Sequence, residues 1–419
     1  MNLFIFLFFL PGFFTVSAQT STPNGEHNRT IDSLNALLSS SKHDTVKLRL
    51  MVEISEVCEL DDILKYALPA VTLADELIIN DSLQKEKTKI LKYKAEALNN
   101  VGYIYKKLGK TKEALKYYFQ CLKINKEIQD NSGYATSLYN IGFIFSNQGK
   151  IKDALDCYTK SMKIQKEIGD EEGYAYSLNN LGGFYRNQGR IKEALDYYSK
   201  GLTMLEKIGD KPGIAGLLNN LGTIYFEQGQ IQEALNYYER SLKIQQEIGN
   251  SEGIASSLNN IAFVRNKQGK TQEALKNYYK SLELMEKAGN KEGIATMLNN
   301  IGAIFNKLGK FKNSLACYEK SLKIRKEIND KFGIATTTNN IGIVYLSQKR
   351  FNLSEEYAHL SMQTARETGY IENLLFGLVF FLGKFRLHPK VTEFIVFIPF
   401  LLLFEFVLVL LEPFIEQFT

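Results

Sequence analysis

The chain has 419 residues, of which 45% are hydrophobic and 23% are charged, with no Trp and only seven Pro. Few prolines and many Leu, Ala, Lys and Glu residues favour helices. The formal net charge of +5 is modest and does not supply the dense basic stripe that nucleic-acid binding requires.

The N-terminus carries an apolar run at residues 3–16, followed by the small residues Ser17 and Ala18. This pattern predicts a signal peptide over residues 1–18, although the usual positive charges before the apolar run are missing. The alternative is an uncleaved membrane anchor. The polar residues 19–30 predict a flexible lead-in.

Residues 31–82 are interpreted as a degenerate capping repeat. The segment Ile63–Tyr66 matches Ala114–Tyr117, but at a spacing of 51 residues, which indicates extra residues between the two segments. Terminal repeats of an array are often atypical because they cap the stack.

An Asn-Asn-aliphatic-Gly segment recurs through residues 83–369. Its second Asn falls at positions 100, 140, 180, 220, 260, 300 and 340, a constant period of 40 without insertion or deletion. A period of about 20 to 50 residues indicates a repeat array that is stabilised by stacking. The sequence therefore predicts seven repeats in this region.

One repeat shows how each unit folds. Asp170 is placed to cap a helix whose apolar residues, among them Leu181 and Tyr185, recur at spacings of three and four. Gly189 is placed to end that helix in a left-handed conformation. A second apolar-periodic segment follows and ends at Gly209, so each repeat is predicted to be two antiparallel helices.

The pattern Leu181-Gly182-x-x-Tyr185, followed by Ala194 and Tyr198, resembles the tetratricopeptide repeat. The period of 40 resembles the longer variant found in kinesin light chains, Pins/LGN adaptors and many bacterial regulators. The consensus Trp is replaced by Leu178, and the consensus Pro after the second helix is absent. The resemblance implies an all-α fold, a right-handed α-solenoid of tandem helix hairpins.

Residues 370–419 are predicted to be a membrane-associated segment with its main span at 394–411, which is long enough to cross a bilayer of about 30 Å. The chain stops shortly after this span, so the membrane module looks truncated. The order of signal, repeats and membrane segment resembles bacterial membrane-anchored sensor proteins. That resemblance implies membrane-anchored repeats on the extracytoplasmic (periplasmic) side.

No catalytic constellation is recognisable in the sequence. The four His are scattered, and the four Cys lack metal-ligand or disulfide spacing and are interpreted as packed thiols. The Gly-Lys-Thr segments at 109–111 and 269–271 lack the first Gly of a phosphate-binding loop. We therefore expect no catalytic residues, no metal, no cofactor and no enzymatic activity.

The asparagines are the candidate binding residues. By resemblance, the residues before the Leu-Gly pair face the concave groove, which implies a peptide-binding ladder of Asn100, Asn140, Asn180, Asn220, Asn260, Asn300 and Asn340. An amide offers both a donor and an acceptor and can bond to the backbone of an extended peptide. The alternative is that these amides bond to adjacent helices and only fix the stacking.

Basic residues follow one turn beyond the asparagines. They include Lys107, Arg186, Lys267 and Lys307, and next to the first of them Lys106. A mildly basic groove suggests a ligand with acidic character, whereas the alternative is an ordinary solvated surface.

Together these observations predict a non-catalytic, membrane-anchored scaffold that binds a protein or peptide of unknown identity and no nucleic acid. The alternative is the sensor half of a bacterial signal-transduction receptor whose DNA-binding or kinase output domain is missing or encoded separately.

Overall fold

A computed structural model describes residues 24–58 and 62–368 of the chain. Within these ranges it contains 17 α-helices and one short 3-10 helix, and none of the described residues forms a β-strand. The helices fall into two compact units that divide between Gln268 and Gly269.

The first unit contains the helices α1 Asn24–Ser40, α2 Asp44–Val57, α3 Ile63–Ile79, α4 Lys87–Lys107, α5 Thr111–Glu127, α6 Asn131–Asn147, α7 Ile151–Glu167, α8 Glu171–Asn187, α9 Ile191–Ile208, α10 Lys211–Glu227, α11 Ile231–Glu247 and α12 Ser251–Lys267. The second unit contains α13 Thr271–Lys287, α14 Lys291–Lys307, α15 Phe311–Glu327, α16 Lys331–Ser347 and α17 Phe351–Thr368. Within each unit, every helix packs against the next one along the chain. The prediction of an all-α fold of helix hairpins is confirmed.

We call α4, α6, α8, α10, α12, α14 and α16 the first helices of their repeats. Their starts are set by side-chain caps, as the Asp170 carboxylate shows by accepting a hydrogen bond of 2.8 Å from the amide of Gly173. The predicted left-handed residue is present at Gly189, where φ is +69°. Caps and glycines thus repeat the same turns in every unit of sequence.

The hairpin core is built around a buried tyrosine of the second helix. Tyr198 is 1% exposed, and its ring lies against the backbone of Gly182 on the first helix. Ser161, at the position predicted to take small residues, donates a hydrogen bond of 2.8 Å to the carbonyl of Ala135 within its hairpin. Glycine and small residues therefore let the two helices approach closely.

The N-terminal junction departs from the regular period for a visible reason. A 3-10 helix at Asp81–Glu86 precedes α4, and α4 has 21 residues where the other first helices have 17. These insertions account for the spacing of 51 residues seen in the sequence. Helix α1 begins at Asn24, so the expectation that residues 19–30 form a flexible lead-in is wrong for the part from Asn24 onward.

The prediction of a membrane-anchored chain with extracytoplasmic repeats is contradicted. Across residues 24–58 and 62–368, none of the helices combines the length and the apolar character that crossing a bilayer demands. The proposed signal peptide at 1–18 and the proposed segment at 370–419, with its span at 394–411, lie outside the described residues.

Candidate functional site

The asparagine pairs lie on the first helices, on the side turned away from the hairpin core. The glycine two residues after each second Asn faces inward, since a Cβ on Gly102 would lie 2.7 Å from the ring of Tyr118. Successive helical residues are rotated by about 100°, so the side chain two positions earlier projects to about the opposite side. We call this surface of the first helices the asparagine face.

Hydrogen bonds between side-chain amides join neighbouring first helices on this face. Asn140 Nδ2 donates to Asn99 Oδ1 at 2.9 Å, between α6 and α4. The same bond recurs from Asn220 to Asn179 at 2.9 Å, between α10 and α8. In the second unit, Asn340 donates to Asn299 at 3.1 Å. The second Asn of one repeat is therefore tied to the first Asn of the preceding repeat.

Each of these amide pairs keeps unfilled hydrogen-bonding capacity. The Nδ2 groups of Asn99 and Asn179 donate no hydrogen bond within the described part of the chain, and the Oδ1 atoms of Asn140 and Asn220 accept none there. A linked pair thus presents one amide donor and one amide acceptor at a fixed separation, as a peptide group does.

The remaining predicted asparagines differ in their contacts. Asn100 Nδ2 donates to Ser55 Oγ at 2.9 Å, and Asn260 Oδ1 accepts from Asn259 Nδ2 at 3.4 Å. Asn300 is buried, with 8% of its surface exposed. Asn180 is half-buried and makes no hydrogen bond to the described residues.

The basic residues predicted to line the groove have different environments. Arg186 is 7% exposed and bonds to Glu227, with Nη2 3.1 Å and Nε 3.2 Å from the carboxylate. Lys107, Lys267 and Lys307 are exposed at the ends of their first helices, and Lys267 lies 5.3 Å from the ring centroid of Phe263. The charge of Arg186 is therefore matched inside the chain.

Lys106 is a face residue whose surroundings sequence reasoning missed. Its Nζ lies 5.0 Å from the ring centroid of Tyr103 and 4.9 Å from that of Phe143 on the next first helix. Burial, and secondarily the charge of Lys107, lowers the pKa of Lys106 to about 8. The two adjacent lysines gave the only sequence signal, which did not show which of them is enclosed.

Acidic groups lie one turn before the asparagines. Burial, followed by the charge of Glu56, raises the pKa of Glu96 to about 7, and Asp130 contributes in the same direction. In the repeat that carries Tyr176, the matching contact is neutral, because the Tyr176 hydroxyl donates to Asp210 Oδ2 at 2.6 Å. The start of the face is therefore acidic where later repeats use a hydroxyl.

The described residues contain no group of three or more His, Cys, Asp or Glu side chains that could hold a metal ion. All four cysteines are free thiols; Cys58, Cys121 and Cys157 are buried and Cys317 is partly buried, in agreement with the expected packing role. The chemistry that the face offers is hydrogen bonding and charge.

Hairpins that repeat every 40 residues and present polar side chains on their first helices define a helical repeat protein. A family model described as "Tetratricopeptide repeat" matches residues 93–167, 173–247, 253–327 and 293–367. These matches cover more than half of the chain, which therefore belongs to the tetratricopeptide repeat family.

Solved structures with a similar fold include three bacterial regulators. The Rap conjugation gene regulator of plasmid pLS20, in complex with the Phr* peptide, has a TM-score of 0.57 at 16% identity and covers 83% of this chain and 96% of its own. Aspartyl phosphate phosphatase F from Bacillus subtilis has a TM-score of 0.55 at 14% identity, covering 83% and 94%. The apo quorum sensor NprR from B. thuringiensis has a TM-score of 0.51 at 17% identity, covering 81% and 99%.

No curated protein sequence matches the chain. The similarity to the solved structures extends to the fold alone, and their descriptions include a phosphatase as well as regulators. Function therefore has to be argued from the residues of the face.

Proposed function

We propose that this chain binds an extended peptide segment of a partner protein along the asparagine face, without catalysis. The observation that carries the proposal is the set of amide pairs with unfilled donor and acceptor groups. A structural role alone accounts for the bond from Asn140 to Asn99, but it leaves Asn99 Nδ2 and Asn140 Oδ1 without partners.

The amide pairs favour a backbone ligand over a specific side chain. A peptide group in extended conformation exposes one N–H and one C=O, and an amide pair offers the complementary acceptor and donor. Because Asn140 and Asn99 already hold each other, binding orders them less than it would order two free side chains. The two groups in the earlier alternatives, groove contact and stacking, are thus served by the same residues.

The spacing of the face also suits an extended chain. Packed neighbouring helices lie about 10 Å apart, and about three residues of extended chain at about 3.3 Å each span that distance. The pairs Asn99–Asn140 and Asn179–Asn220 are two repeats apart in the first unit. A peptide of about six residues would connect them.

The solved structure of the Rap regulator with a bound peptide is compatible with this proposal. At 16% identity it supports the fold, and the choice of a peptide ligand for the present chain rests on the amides. An activity such as that named for the similar phosphatase would require a reactive group, which we do not propose here.

Asn180 gives the sharpest test, because it makes no hydrogen bond to the described residues. Peptides are selected on the full chain from a phage-displayed library of random 12-residue sequences, and their Kd values are measured by fluorescence anisotropy. Replacing Asn180 by Ala removes two hydrogen bonds to the ligand of about 0.5–1.5 kcal/mol each, so Kd should rise about tenfold.

The matched control is Asn236→Ala, at an exposed position of α11 on a second helix. Its Kd should equal that of the wild type, and both variants should keep the wild-type melting temperature. Equal Kd values for Asn180→Ala and the wild type would rule out the asparagine face as the peptide site. A library that yields no binding peptide would contradict the proposed function itself.

A further inference from the structure

Lys106 is a cation that lacks a carboxylate partner among the described residues. Its ammonium group is enclosed by the rings of Tyr103 and Phe143, at 5.0 Å and 4.9 Å, and no ion pair to it is present within that part of the chain. The rings attract the cation through their quadrupoles, but they do not neutralise its charge.

The equivalent position two repeats later shows what is missing. Arg186 also lies at the end of its first helix, and it receives the carboxylate of Glu227 from the next first helix at 3.1 Å. Glu227 is 41 residues after Arg186, and the residue 41 positions after Lys106 is the uncharged Asn147. One copy of the site thus has its counter-ion within the chain, and the other copy does not.

An enclosed charge without a counter-ion is unfavourable, because burial removes hydration that the aromatic rings replace only in part. Burial lowers the pKa of Lys106 to about 8, which reflects this penalty. An apolar residue is tolerated in this column of the repeats, as Phe226 packs against Phe263 with ring centroids 5.2 Å apart. The lysine is therefore not needed to fill the space.

We infer that Lys106, with the rings of Tyr103 and Phe143, binds a carboxylate of the peptide ligand between α4 and α6. The inference rests on the proposed function and assigns the ligand an acidic group at one fixed position. Lys106 lies six residues beyond Asn100 on α4, about 9 Å along the helix axis. The carboxylate is that of an Asp or Glu side chain or of the peptide C-terminus, which are chemically alike at this site.

The same library selection tests the inference when it is performed on the wild type, Lys106→Met and the control Lys107→Met. Peptides selected on the wild type and on Lys107→Met should share an acidic residue at one position, or a free C-terminus at that register. Peptides selected on Lys106→Met should lack this preference. Met keeps the length and apolar stem of lysine and removes the charge.

A double comparison then isolates the contact. For a selected peptide, replacing its Glu by Gln should raise the Kd of the wild type about tenfold or more and leave that of Lys106→Met nearly unchanged. A C-terminal amide in place of the free carboxylate has the same effect if the terminus is the group that binds. These two peptide changes distinguish a side chain from a terminus.

Two results overturn the inference. The first is an equal Glu-to-Gln penalty in the wild type and in Lys106→Met, and the second is a selection that shows no acidic preference on the wild type. In both cases peptides still bind, so the proposed function survives. If no peptide is selected on any variant, the proposed function and the inference fail together.

Discussion

Replacing Gly182 by Ala should destabilise the repeat that contains α8 and α9. A Cβ built on Gly182 lies 2.5 Å from Cδ1 and 2.6 Å from Cε1 of Tyr198. Ordinary carbon–carbon contacts are about 3.5–4.0 Å, so the ring must move by about 1 Å. Tyr198 is 1% exposed and has no free space around it into which a flexible end could swing.

Two opposing effects set the magnitude. Overpacking of a tightly packed core costs about 1–3 kcal/mol, whereas Ala is better than Gly inside a helix by about 1 kcal/mol. The net loss in the free energy of unfolding should be about 1–2 kcal/mol. Gly216 on α10 is the matched control, because a Cβ built there meets no atom within 4 Å. Gly216→Ala should therefore gain about 0.5–1 kcal/mol.

The assay is urea unfolding followed by circular dichroism at 222 nm, with hydrogen exchange to locate the change in α8 and α9. The truncation Tyr198→Leu should rescue Gly182→Ala, since it removes the ring that the new methyl group meets. If Gly182→Ala were as stable as Gly216→Ala, the close approach of helix and ring described above would be wrong.

Three further predictions concern charges on the asparagine face. Lys106→Met should stabilise the chain by about 1–2 kcal/mol at pH 7, because a lysine whose pKa is lowered to about 8 carries its charge at a cost in the folded state. This advantage should shrink between pH 8 and pH 10.5 as the wild-type lysine loses its proton, and unchanged stability at pH 7 would contradict the burial of Lys106. Glu96 has a pKa raised to about 7, so the wild type should lose about 1–2 kcal/mol as pH rises from 4.5 to 7, after discounting for its partial exposure. Glu96→Gln should lack this slope, which pH-dependent thermal unfolding would measure. Glu227→Ala should cost about 2 kcal/mol and Arg186→Met less than about 1 kcal/mol, because the first leaves a buried cation unpaired and the second leaves a half-exposed acid; chemical unfolding with the reverse order would refute the asymmetry.

The helix boundaries were largely predictable because the repeat averages out local ambiguity. Asp170 and Gly189 mark the start and end of α8 in the sequence, and both perform the expected role in the structure. The same signals recur every 40 residues, so one correct assignment extends along the array. Three left-handed turns use Gln129, Asn329 and Lys349 in place of Gly, and only the period reveals them.

The contacts on the face were not predictable from the sequence to the same degree. The bond between Asn140 and Asn99 depends on how far neighbouring helices are offset, and a periodic pattern does not contain that offset. For the same reason, Arg186 was predicted to face the ligand, whereas the structure pairs it with Glu227. The predicted membrane anchoring relied on apolar runs outside the repeats, and the described helices do not support it.

The constant offset between bonded asparagines has an evolutionary consequence. Each bond joins a residue to another 41 positions later, so it depends on register and not on which repeat supplies the partner. Loss of residues 131–170 by recombination between repeats would set Asn180 opposite Asn99, where the present neighbour of Asn180 along the array carries Tyr139. Such a deletion would create an amide pair while shortening the array. Repeat number is therefore a trait that can change in single genetic steps without redesign of the junctions.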